Sequence, residues 1–85
     1  EIKQLPLDND VMVIIGSKTS ANTKRLYEIA RGINRRSYWV TSKLELKPKW
    51  FGKAKSVGVA SGASTPDSTT QDIVKYIKHL NKNTN

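Results

Sequence analysis

The chain has 85 residues, no cysteine and a formal net charge of +8. That length holds one domain, and the lack of thiols excludes disulfides, zinc–thiolate sites and iron–sulfur clusters ligated from within it. Hydrophobic residues make up 36% of it, low for a free-standing α/β domain and suited to a piece whose neighbours normally cover it.

Residues 1–10 mix Pro6 with the polar stretch Asp8-Asn9-Asp10 and read as a lead-in. The start, Glu1-Ile2-Lys3-Gln4, has no Met and no signal-peptide pattern. The expectation is a fragment or processed chain in the cytoplasm, or in a plastid-type organelle if the source is eukaryotic. No apolar run approaches bilayer-spanning length, so no membrane partner is expected.

Val11-Met12-Val13-Ile14-Ile15 is a continuous, β-branched-rich run, the pattern of a strand buried on both faces of a parallel sheet. The turn after it, Gly16-Ser17-Lys18-Thr19-Ser20-Ala21-Asn22, is rich in hydroxyls and holds no acid. A helix follows from about Asn22 to Gly32, with Leu26, Ile29, Ala30 and Ile33 as its apolar stripe and Gly32 as a left-handed cap. The second strand is Ser37-Tyr38-Trp39-Val40-Thr41. In 44–52, Pro48 opens a short helical turn and Gly52 ends it, with Trp50 and Phe51 as core plugs. The third strand is Val57-Gly58-Val59-Ala60, Gly58 marking close packing. A second polar turn, Gly62-Ala63-Ser64-Thr65-Pro66-Asp67, opens the last helix, with Thr65 as N-cap, Pro66 at the first helical position and Asp67 in the first turn. Ile73, Val74, Ile77 and Leu80 form that helix's buried stripe, and 81–85 read as a frayed tail.

Alternating strands and helices imply an α/β fold, a small three-layer domain with a parallel sheet and crossover helices; the commonest order for three such strands, 2-1-3, is expected. In that order the first and third strands are neighbours, and their connections leave towards opposite faces, which makes a crevice at the carboxyl ends of the strands. Both polar turns sit there. Unpaired N–H groups at a helix start, with the helix dipole, suit an anion. One shared anion site is therefore expected, lined by Thr19, Ser20, Asn22, Ser64 and Thr65. Lys18 adds a long-range pull without an assigned contact. Neither turn has the glycines of a Walker loop or a dinucleotide fingerprint. The plainer alternative is two helix caps rich in Ser and Thr.

No catalytic constellation is present. The single histidine, His79, lies far along the last helix and reads as a surface residue, Asp67 has a capping role, and no base adjoins Ser20 or Ser64. No metal ligands are expected. The basic residues are spread along the chain as solvated faces; the tightest cluster, Asn34-Arg35-Arg36, is short and lacks an aromatic signature, which disfavours nucleic acid as partner.

Residues 17–26, Ser-Lys-Thr-Ser-Ala-Asn-Thr-Lys-Arg-Leu, and 57–67, Val-Gly-Val-Ala-Ser-Gly-Ala-Ser-Thr-Pro-Asp, resemble in order and spacing the C-terminal third of the 4-hydroxy-3-methylbut-2-enyl diphosphate reductase family. The resemblance runs from about Asp10 to Leu80 and makes the whole chain, 1–85, one partial domain. It implies an oxidoreductase of the methylerythritol phosphate route to isoprenoids, producing isopentenyl and dimethylallyl diphosphate. It also implies three related α/β domains around a 4Fe–4S iron–sulfur cluster held by three cysteines, one from each domain. Carried over residue by residue, it makes Ser20, Asn22 and Ser64 ligands of the substrate diphosphate. Thr19 stands where the family has asparagine, and Ala21 replaces the second serine, so one diphosphate donor is missing. The cluster cysteines, the proton-delivering acid and the rest of the cavity lie outside this chain. The expected partners are the diphosphate substrate and the missing N-terminal domains, and this fragment alone is expected to be inactive. The alternatives are a free-standing phosphate-binding module and, less favoured, a basic nucleic-acid-binding domain.

Overall fold

Val11–Ile15 forms the central strand β1, and each of its residues is buried. The computed structural model describes residues 10–52, 54 and 56–83, with the backbone alone for 81–83. The expected lead-in, except Asp10, lies outside them. Then come helix α1 (Ala21–Ile33), strand β2 (Ser37–Val40), two 3₁₀ turns (Lys43–Glu45 and Pro48–Trp50), strand β3 (Val57–Ser61) and helix α2 (Asp67–Asn83). The sheet is parallel throughout, in the expected order β2-β1-β3.

Successive side chains of a strand point to opposite faces, and β1 uses both. Val11, Val13 and Ile15 join Val40, Leu46, Phe51, Ile73 and Ile77 in one core, under α2 and the 3₁₀ turns. Met12 and Ile14 join Ala30 in a second core under α1, with Leu26, Tyr27 and Ala60 packed against it. The two helices therefore lie on opposite faces, giving three layers.

Several local expectations shift. Gly32 is not a left-handed cap: it lies inside α1, and no described glycine has positive φ. The helix ends instead at Asn34, in an extended conformation, whose N–H donates to the Ala30 carbonyl at 2.7 Å. Its side chain supplies the reason. Asn34 Nδ2 donates to the Asp10 carbonyl (3.4 Å), and Oδ1 accepts from Arg36 N–H (2.9 Å), so local bonds outcompete another helical turn. Ile33 stands in that last turn, beyond the core cluster, and is 38% exposed. The stripe of α1 includes Thr23 instead, which is fully buried. On α2, Tyr76 and Leu80 pack beside Ile73 and Ile77, while Val74 is only half-buried.

β2 stops at Val40, because Thr41 N–H turns to the Glu45 carboxylate (3.2 Å). The turn at Pro48 forms as expected; Phe51 is core, and Trp50 stacks face to face on Tyr38 at 4.0 Å. α2 begins one residue after the expected position, with the Pro66 carbonyl accepting from Thr69 and Thr70 N–H (3.1 and 3.3 Å). It also continues through 81–83, which are helix rather than frayed tail; residues 84–85 lie outside the described residues.

Candidate anion-binding site

Two turns leave the carboxyl ends of neighbouring strands. Residues 16–20 carry β1 into α1, and residues 62–66 carry β3 into α2. Because Ile15 pairs with Ser61, both turns begin at the same level of the sheet. They are tied at one acceptor: the Ile15 carbonyl takes the Gly62 N–H (3.0 Å) and the Thr65 hydroxyl (3.1 Å).

The first turn is braced from within and from β2. The Ser17 and Thr19 hydroxyls share a bond of 2.8 Å, and Thr19 N–H donates to Ser17 Oγ at 3.2 Å. Ser20 is the N-cap of α1; its Oγ accepts from Thr23 N–H at 3.2 Å. Trp39 Nε1 donates to the Gly16 carbonyl at 3.0 Å. Lys18 Nζ donates to the Trp39 carbonyl at 2.7 Å and lies 4.6 Å from the centre of the indole ring. Lys18 is thus tethered over Trp39, which tilts against Tyr27 at 5.5 Å.

Both turns also meet at Thr23. A Cβ on Gly16 would lie 2.7 Å from Thr23 Cγ2 and closer still to Oγ1, and a Cβ on Gly62 would clash with the same oxygen. Glycine is required at both positions for space.

A cavity of about 280 Å³ opens between the ends of β1 and β2 and the start of α2, lined by Gly16, Ser17, Thr41, Ser64, Thr65, Pro66 and Thr69. Ser64 and Thr65 are in it. Thr19, Ser20 and Asn22 are not; they stand at the start of α1. Asn22 and Ser64 are exposed and have no side-chain hydrogen bond among the described residues. Thr65 has its proton committed to Ile15 and, in that state, none to give an anion.

Ser17, Thr41 and Thr69 line the cavity without having been singled out in the sequence. Thr41 follows β2 at its carboxyl end, and that position is the signal by which it was open to being found; its hydroxyl is bonded to the Glu45 carboxylate. Nothing local signals the tether of Lys18. Among the described residues no group of three or more His, Cys, Asp or Glu could hold a metal. No helix among them is long and apolar enough to cross a membrane.

The LytB protein family matches residues 1–78. The 4-hydroxy-3-methylbut-2-enyl diphosphate reductase of Campylobacter jejuni is 45% identical over 82 residues, covering 96% of this chain and 30% of that protein. The Aquifex aeolicus enzyme of the same name is 42% identical over 79 residues, 93% of this chain and 27% of that protein. Among solved structures, (E)-4-hydroxy-3-methyl-but-2-enyl diphosphate reductase, described as the terminal enzyme of the non-mevalonate pathway, superposes with a TM-score of 0.89 at 42% identity, over 92% of this chain and 28% of that one. The Plasmodium falciparum reductase shares the fold at a TM-score of 0.82 and 23% identity, over 88% of this chain and 24% of its own. Spanning about 30% of the length of the relatives it matches, and carrying the family's match over nearly all of its own, this chain belongs to the LytB family of 4-hydroxy-3-methylbut-2-enyl diphosphate reductases.

Proposed function

We propose that this chain is the lobe of the reductase that holds the diphosphate of the substrate, with Ser20, Asn22 and Ser64 as its donors. The reductive dehydroxylation to isopentenyl and dimethylallyl diphosphate is then the work of the whole enzyme. The observation that carries this reading is the pair of helix-opening turns on adjacent parallel strands, locked to one another at the Ile15 carbonyl.

The chemistry is that of neutral donors. Ser20 Oγ accepts the cap bond from Thr23, which leaves its own proton free to donate to an anion. Among the described residues, nothing engages the side chains of Asn22 and Ser64. Backbone N–H groups at the start of α1 and α2 add partial positive charge. Each bond to a charged acceptor contributes roughly 1.5–3 kcal/mol. With Ala21 in place of a serine and the other walls outside this chain, affinity is expected on the order of millimolar, about −4 kcal/mol. Held at its diphosphate end, a substrate has its reacting end oriented, so the contribution is positioning. The residues present do not fit the iron–sulfur cluster that the family resemblance implies: there is no cysteine to ligate it. The lobe supplies binding, and redox chemistry belongs to the remainder of the enzyme.

Pyrophosphate titration followed by amide chemical shifts tests the reading. The expected result is shifts at residues 17–23 and 62–67 that disappear in a folded Ser20→Ala/Ser64→Ala variant. Shifts that follow Arg35, Arg36 and the other scattered cations would reduce the two turns to helix caps.

A further inference from the structure

Thr23 is fully buried, and among the described residues its Oγ1 has no hydrogen-bond partner. Buried hydroxyls are nearly always paired, because an unpaired one has lost water and gained nothing. Valine has the same shape and would fill the space without that loss. The free chain therefore gains nothing from the hydroxyl.

Its position gives the hydroxyl a use. Thr23 N–H is bonded to Ser20 Oγ, and its side chain is wedged against Gly16 and Gly62 together. It thus touches a proposed anion ligand on one side and the backbone leading to Ser64 on the other. The polar groups of both glycines already have partners. Gly16 N–H is bonded to Val40 and its carbonyl to Trp39; Gly62 N–H is bonded to Ile15 and its carbonyl to Thr65 N–H. Each carbonyl keeps a second lone pair, so each can still accept from a further donor.

We propose that Thr23 is a positioning residue of this site: its hydroxyl, unpaired in the free chain, becomes paired when the two turns close on a diphosphate, and so couples Ser20 to Ser64. The proposal rests on the diphosphate-holding reading above and assigns Thr23 no contact with the ligand.

The test compares Thr23→Val and Thr23→Ser by thermal melting without ligand and by pyrophosphate titration. Thr23→Val should melt at or above the parent yet bind pyrophosphate about tenfold more weakly, the scale of one lost hydrogen bond. Thr23→Ser, which keeps the hydroxyl and loses the methyl, should melt lower yet bind like the parent. A merely structural role would lower melting and binding together. Thr23→Val melting below the parent, or binding as the parent does, overturns the proposal. A Ser20→Ala/Ser64→Ala chain that binds like the parent overturns the site reading instead, and a parent that binds no pyrophosphate at these turns overturns both.

Discussion

Gly16 and Gly62 are small because Thr23 takes their space. Both lie outside the positive-φ region where glycine is usually required; what excludes a larger residue is Thr23 Oγ1. A double-mutant cycle makes this measurable. Gly62→Ala should cost about 1–3 kcal/mol by overpacking. In a Thr23→Ala background most of that should vanish, because the next nearest atom, Thr23 Cβ, is at an ordinary 3.5 Å. Urea unfolding should return a coupling of roughly 0.5–3 kcal/mol, and additive costs would show that the two sites do not press on one another. Gly16→Ala should not be rescued to the same degree, since Thr23 Cβ itself stands 3.0 Å away.

At the scale of elements, β1 is the shared wall of two cores, and each helix is held by the few side chains that reach it. Ile73 of α2 is fully buried against the odd-numbered face of β1, whereas Ile33 at the end of α1 is 38% exposed. Ile73→Ala should therefore cost about 2–5 kcal/mol, and Ile33→Ala should stay within about 0.5 kcal/mol, as surface changes do. Circular dichroism melts of the two variants decide it; equal losses would mean that α1 docks through its last turn after all. The periodicity of α1 ran on to Ile33 because a hydrophobic repeat carries no information about where a helix leaves its sheet. Asn34 settled that through bonds to Asp10 and Arg36.

For the whole molecule, charge and thiol content set what the chain can do. The +8 charge raises encounter rates with any anion, and on the proposed reading selectivity comes from the turns. With no cysteine, the chain should hold no stoichiometric iron–sulfur cluster after reconstitution with iron and sulfide, and should reduce no substrate alone. Visible charge-transfer absorption that stays with the protein through gel filtration would contradict this.

Strand, polar turn and helix are written in consecutive residues, so the three strands and, to within a residue, both helix starts are legible in the sequence; the 2-1-3 order, which the structure has, is the commonest for such a unit. Val11–Ile15 has the pattern usual for a strand covered on both faces, and in a parallel sheet the turns after it and after β3 fall at the same end. Hydrogen-bond partners are a different matter, because a hydroxyl or an ammonium bonds to whatever the fold brings near. Thr65 gives its proton to Ile15, 50 positions away, and Lys18 is bound to Trp39, 21 away. The contact of Thr23 with both turns likewise arises only when parallel pairing sets Gly16 and Gly62 side by side. The sequence by itself determined the elements and their parallel arrangement, and it pointed to the two turns that are proposed to meet an anion. The tertiary structure alone decided which polar groups are already engaged, because that depends on contacts between turns that the chain keeps far apart.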